Sequence, residues 1–104
     1  MANLVVIYWR DIPAQVIVEK GRGRGRESAK VELPKRFIAA IDAAAMKSGA
    51  EEADDYLEEW RRSDPIEVAD GGMESTAAAK ASELEDAYPA ERLRALIANG
   101  GREG

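Results

Sequence analysis

The first twenty residues carry the hydrophobic pattern of a β-hairpin. Residues 4–9 form an unbroken run of aliphatic, β-branched and aromatic side chains, which is typical of a strand. Successive side chains of a strand point to opposite faces, and both sets are apolar here, so we expect this strand to be central in a sheet. Asp11 and Pro13 are turn residues that end it, and residues 15–20 alternate. The pattern therefore predicts a returning strand after the turn.

Residues 34–62 follow the spacing of helices instead. From Phe37 onward, apolar side chains recur at i, i+4, i+7 and i+8, after a proline that suits a first helical turn. Gly49 suits the C-terminal cap of this helix. A second helix is predicted over about residues 51–62, where Tyr56, Leu57 and Trp60 share one face. The short link between the two helices predicts a helical hairpin.

The remaining pattern completes an α+β fold. Residues 66–68 alternate and predict a third strand, and helices are predicted near residues 74–87 and 89–98. We predict a small antiparallel β-sheet, the hairpin plus the third strand, packed on the helical hairpin of residues 34–62. Residues 1–72 would form this core domain and residues 73–104 a helical C-terminal extension that covers an edge or extends outward. The predicted core consists of Val5, Ile7, Trp9, Val16, Val18, Phe37, Ile41, Tyr56, Leu57, Trp60 and Val68.

The charge of the chain is unevenly distributed. The formal net charge of the 104 residues is −5, but residues 20–36 hold seven basic and two acidic side chains, which gives +5 locally and −10 elsewhere. The acidic balance argues against a general nucleic-acid binder, whereas the local excess leaves a small anionic contact open. The acidic residues between 51 and 59 are interpreted as a solvated helix face, since their spacing is not that of a calcium loop.

The composition also narrows the chemistry. The chain has no cysteine and no histidine, which removes a disulfide framework, a thiolate nucleophile, the commonest metal ligand and the usual general base. We therefore expect no metal and no cofactor, and favour a non-catalytic role, although a carboxylate pair formed only in the fold stays open. The apolar run at residues 4–9 is too short for a signal core or a membrane span, so a cytoplasmic location is the default expectation.

Residues 20–26 read Lys-Gly-Arg-Gly-Arg-Gly-Arg and form the most unusual segment. They match neither a dinucleotide fingerprint nor a phosphate-binding P-loop, because the third glycine and the Gly-Lys-Ser/Thr element are missing. One interpretation is a flexible basic arm, with Arg22, Arg24, Arg26 and Lys30, that binds an anion or an acidic partner. The other is a solvated loop that is kept soluble by its charge, or one that pairs with the chain's own acidic helix.

Arg10 and Asp11 form a second candidate contact, because they follow the predicted central strand directly. Residues at strand ends are held rigidly and often carry function. The alternative is a structural turn in which the aspartate caps local backbone and the arginine lies over an aromatic ring.

Three stretches together resemble one protein family. They are Tyr8-Trp9-Arg10-Asp11-Ile12-Pro13-Ala14-Gln15-Val16-Ile17, Arg36-Phe37 with Ala40-Ile41-Asp42-x-Ala44-Ala45-Met46, and Asp55-Tyr56-Leu57-x-x-Trp60-Arg61. The chain is similar to the small bacterial domain named virulence factor, which occurs in short alphaproteobacterial proteins and as a domain of larger conserved virulence factor proteins. The resemblance implies an association with folate- and corrinoid-dependent methyl-transfer proteins and supplies no catalytic residues.

Three functional hypotheses follow. The first is a non-catalytic accessory protein that binds another protein, with a one-carbon methyl-transfer enzyme as the implied partner. The second is a binding module for a small phosphorylated or folate-like anion. The third is weak nucleic-acid binding through the Gly-Arg segment, which the lack of aromatic residues within it disfavours. The partner, the ligand and the oligomeric state, including a homo-oligomer, stay open at this point.

Overall fold

The structure is a computed structural model that describes residues 2–21, 27–49, 53–69 and 71–102. Within these ranges the chain forms an antiparallel sheet and a set of helices. The elements in chain order are β1 (Ala2–Trp9), β2 (Ile12–Lys20), β3 (Glu27–Glu32), α1 (Lys35–Ser48), α2 (Ala53–Glu58), β4 (Trp60–Arg62), β5 (Ile66–Val68), α3 (Met73–Ala87) and α4 (Ala90–Ala98).

The sheet is built around β1. Its strand order is β3-β2-β1-β4, and β5 also pairs with β1, antiparallel like its other neighbours. β4 and β5 therefore lie end to end along one side of β1, and residues 63–65 between them face only Val5 and Val6, which makes a β-bulge. Ser63 bridges this bulge: its N–H donates to the Val6 carbonyl at 2.9 Å, and its Oγ accepts from the Val6 N–H at 2.9 Å.

The hydrophobic core lies between one face of the sheet and the helices. Cross-strand rows such as Val6, Val16 and Val31 supply the sheet side, because they are in register across β1, β2 and β3. Helix α3 packs across β2 and β3 and contributes Ala77 and Leu84 to this core. Helix α1 packs against β2 and, more extensively, against α4.

The α+β class is confirmed, as are the central first strand, the hairpin, the third strand at residues 66–68 and the helices near the C-terminus. Helix α1 ends as predicted at Gly49, whose φ of 78° is left-handed and whose N–H reaches the Ala45 and Met46 carbonyls. Two local predictions were wrong: Lys30, which was assigned to a flexible arm, lies in strand β3, and residues 60–62 are a strand and not the end of a helix. The main helix pair is correspondingly α1 with α4, and not a hairpin of residues 34–62.

The predicted core is partly correct. Trp9, Val16, Val18, Phe37 and Ile41 are buried in the main cluster, and Val5 is buried outside it. Four further candidates are only partly buried: Ile7, Tyr56, Trp60 and Val68. Leu57 is 63% exposed, so its assignment to the core was wrong, whereas Leu4 and Val6 are buried and were not selected. The domain boundary at residue 72 stays a prediction, although α3 and α4 share one core cluster with the sheet.

Candidate functional site

The structure places the predicted contact residues in different regions. Arg22, Arg24 and Arg26 lie outside the described residues. Lys30 is exposed on β3, directly opposite Ile17 of β2. Ile17 lies five residues beyond Ile12, where β2 begins after the hairpin turn, so at 3.3 Å per residue it is about 16 Å from that end of the strand.

Arg10 and Asp11 form the two-residue connection between β1 and β2. Lys30 and this turn therefore do not form one site.

Arg10 is turned inward at the hairpin turn. Its φ of 54° is the only positive φ of a non-glycine residue in the described chain, a conformation that costs energy and needs support. Its guanidinium donates from Nη1 to the Gly100 carbonyl at 2.7 Å and from Nη2 to Glu59 Oε1 at 3.4 Å. It also lies 4.7 Å from the centroid of the Trp9 ring, and its side chain is 12% exposed. The contact with the Trp9 ring is the one that the structural interpretation of the turn expects of the arginine.

Charged neighbours surround the turn and join it to the C-terminal segment. Arg61 donates from Nε to the Arg10 carbonyl at 2.9 Å and pairs through Nη2 with Asp11 Oδ1 at 3.3 Å. Arg102 pairs through Nη2 with Glu59 Oε1 at 3.2 Å. The side chains of Arg61 and Arg102 are more than half exposed, so an acidic partner could still reach them. A binding role for Arg10 and Asp11 stays a prediction.

A second feature is an apolar groove between α1 and α4, with a volume of about 230 Å³. The two helices present residues at i, i+3 and i+4 spacing to it, and alanines leave the space open. The groove is lined by Arg36, Ala39, Ala40, Ala90, Leu93, Arg94 and Ile97. Its floor is therefore apolar, and every charged side chain among these lining residues is basic.

The two arginines of this arginine groove differ in how they are held. Arg36 donates from Nη2 to the Glu85 carbonyl at 3.1 Å and lies 4.9 Å from the Phe37 ring centroid. Arg94 is exposed and has no hydrogen bond or ion pair with any residue in the described ranges. The Arg36 guanidinium is thus held in place on one rim of the groove, whereas the Arg94 guanidinium on the other rim is free to reorient toward a bound anion.

The chemistry of the groove is that of binding. A guanidinium stays protonated at any physiological pH and donates only, so neither rim residue can accept a proton from a substrate. No carboxylate lines the groove to act as a base. Among the described residues, no group of three or more acidic side chains is placed to hold a metal ion, and no helix is long and apolar enough to cross a membrane.

Sequence reasoning did not select Arg36 or Arg94. Each belongs to a helix that the sequence predicts, but a groove needs both helices side by side, and the two arginines are more than fifty positions apart in the chain. A usable local signal would have been a basic residue on the apolar face of each helix: Arg36 before Ala39 and Ala40, and Arg94 after Leu93.

The comparisons with known proteins give one family match. The family model described as Virulence factor matches residues 7–97, which include the hairpin turn and both helices of the arginine groove. No curated protein and no solved structure matches the chain.

Proposed function

Because the chain belongs to the virulence factor family, we propose that it is a non-catalytic accessory domain that binds another protein through the arginine groove. The observation that supports this proposal is the combination of an apolar floor with an exclusively basic charged rim. A groove between two helices is a common receptor for an amphipathic helix of a partner. The rim selects a partner segment that carries carboxylates beside its apolar side chains.

The size of the groove sets the strength of this contact. Burying one leucine- or phenylalanine-sized side chain contributes about 1.5–3 kcal/mol, and a hydrogen bond to a charged group about 1.5–3 kcal/mol. One anchor and one carboxylate contact to Arg94 thus supply about 3–6 kcal/mol before the entropic cost of association. A dissociation constant of about 1 mM corresponds to 4.1 kcal/mol, so the groove needs further contacts around it to form a stable complex.

Two sets of residues are candidates for those further contacts. The exposed Arg61 and Arg102 present positive charge at the hairpin turn. The predicted basic arm, with Arg22, Arg24 and Arg26, would add charge of the same sign toward an acidic partner. The one-carbon methyl-transfer enzyme implied by the family resemblance is the first partner to test.

The test compares tagged proteins purified from the native host at moderate salt, with the recovered partner identified and then reconstituted from purified components. Arg94→Glu reverses the free rim charge, and Ala39→Leu fills the floor at an exposed position. Both should weaken the reconstituted complex about tenfold or more, a change of about 1.4 kcal/mol. Lys47→Glu is the matched control, since Lys47 is an exposed base on α1 outside the groove, and it should retain the partner. A partner that binds both groove variants as tightly as the wild type refutes the proposal.

A further inference from the structure

A second pocket lies at the opposite end of α1 from its C-terminal cap and shares no lining residue with the arginine groove. Its volume is about 280 Å³, near the lower end of the range for small-molecule sites. It is lined by Ala14, Gln15, Glu32, Leu33, Lys35, Ile38 and Trp60, which come from β2, the end of β3, the start of α1 and β4.

The chain order explains why polar groups meet here. Gln15 and Glu32 are directly opposite each other across β2 and β3, so their side chains are neighbours on one face of the sheet. The Leu33 N–H donates to the Ala14 carbonyl at 3.1 Å and extends that pairing by one step. Helix α1 then begins at Lys35, which lines the same pocket.

The polar side chains of the pocket have no partners within the described chain. Gln15, Glu32 and Lys35 form no side-chain hydrogen bond or ion pair there, and neither does the indole N–H of Trp60. Glu32 and Lys35 in particular do not pair with each other, although both line one pocket and are three residues apart.

Two other carboxylates of the sheet are paired with bases: Glu19 with Arg62 and Glu27 with Lys20, each at 3.6 Å. The pocket thus has one acid and one base among its lining residues, and the two do not pair with each other.

We propose that this pocket binds a small zwitterion, namely an α-amino acid with a large apolar side chain. The ammonium group of the ligand would meet Glu32 and the carbonyl oxygen of Gln15, and its carboxylate would meet Lys35. Its side chain would cover Ile38, which is 44% exposed, and the partly buried Trp60. The two charged lining residues sum to zero, which matches a ligand without net charge and disfavours a phosphate dianion beside Glu32.

This site is independent of the proposed protein-binding function, and it is tested with L-phenylalanine as the probe on the full chain. The chain has two tryptophans, so a ¹⁵N-labelled sample gives two indole N–H signals. On titration to about 10 mM, the Trp60 signal should shift with a saturable dissociation constant of about 1 mM or lower, while the signal of the fully buried Trp9 stays in place.

Matched ligands and variants test whether the pocket recognises both charged groups of the amino acid. N-acetyl-L-phenylalanine lacks the ammonium group and L-phenylalaninamide lacks the carboxylate, and each should bind about tenfold more weakly or worse. Glu32→Gln and Lys35→Gln should each weaken L-phenylalanine at least about fivefold, whereas Glu67→Gln on β5 should not change it.

No shift of the Trp60 signal, equal binding of the acetylated ligand, or stronger binding of inorganic phosphate at the same signal would each overturn the proposal.

Discussion

Gly101 lies where the C-terminal end of the described chain packs on the hairpin turn, and replacing it by alanine tests that packing. Its carbonyl accepts from the Asp11 N–H at 2.9 Å, and its own N–H donates to the Leu96 carbonyl at 2.7 Å. Its φ is +93°, and a Cβ at this position would lie 2.9 Å from Cζ3 and 3.3 Å from Cε3 of Trp9. Trp9 is fully buried, so its ring cannot move aside without disturbing the core.

The expected loss has two parts. An alanine held in the left-handed region costs about 1–2 kcal/mol. Forcing a methyl group into a packed aromatic ring costs about 1–3 kcal/mol more. Gly101→Ala should therefore lower the free energy of unfolding by about 2–5 kcal/mol, and a loss of 2 kcal/mol corresponds to about 8–16 °C in Tm for a domain of this size.

Substitutions at two other glycines distinguish the backbone cost from the steric cost. Gly49 also has a positive φ, +78°, but a Cβ there meets nothing within 4 Å, so Gly49→Ala should show only the backbone cost of about 1–2 kcal/mol. Gly71 has open space and no left-handed φ, and Gly71→Ala should stay within about 1 kcal/mol of the wild type. Urea unfolding followed by far-UV circular dichroism gives all three values. A Gly101→Ala loss equal to that of Gly49→Ala would refute the packing of this segment on Trp9.

Two further predictions concern single atoms. Ser63→Ala removes the acceptor of the buried Val6 N–H and should lower the free energy of unfolding in urea by about 1–3 kcal/mol, whereas Ser63→Thr keeps the hydroxyl. Equal losses of stability for the two variants would contradict the bridging role of Ser63. Burial, and secondly the charge of Asp42, raises the pKa of the Tyr56 phenol above its ordinary value of 10.0. As the pH rises, the phenol therefore ionises first in the unfolded chain, so its contribution to the free energy of unfolding is complete below pH 10.0 and is lost as the pH rises through the folded pKa. Above pH 10.0 the urea midpoint of Tyr56→Phe should fall less steeply with pH than that of the wild type. Parallel curves for the two proteins would refute this prediction.

The sequence predicts the elements whose pattern is locally strong. The apolar run at residues 4–9 and the helical spacing from Phe37 are recovered because several large side chains repeat the signal. β3 has only Ala29 and Val31 facing the core, and its other positions are polar. Polar positions protect an edge strand from pairing with other chains, but they also leave too weak a hydrophobic pattern to predict the strand. β4 is three residues long and becomes a strand by pairing with β1, a partner about fifty residues away.

The residues of β1 alone do not show which of its two faces is buried in the main core. Both sets of alternate side chains are apolar, and the choice depends on where the helices pack. Leu4 and Val6 enter the main cluster because α3 covers the rows that they share with β2 and β3. Leu57 fails for the opposite reason, since its helix is only six residues long and one side of it stays in solvent.

The arginines link the packing of the fold to the site that we propose for partner binding. Four of them lie over aromatic rings: Arg10 over Trp9, Arg36 over Phe37, Arg61 over Tyr8 and Arg92 over Tyr88, at 4.0–4.9 Å from the ring centroids. The same four guanidinium groups donate to backbone carbonyls. They cover the aromatic edge of a modest core, so each contributes to packing within the chain, although the side chain of Arg61 stays about half exposed.

Arg62 and Arg102 are paired with carboxylates, which leaves Arg94 as the one arginine of the described chain without a partner. A basic residue that packs on no aromatic ring and pairs with no acid contributes little to stability at an exposed position, yet Arg94 stands at the rim of an apolar groove. Positive charge by itself therefore does not single out the groove that we propose as the binding surface, because Lys47 is also basic and exposed but lies outside the groove. Arg94 is the described arginine that has no partner within the described chain, so it can meet a carboxylate of the partner that we propose for the arginine groove.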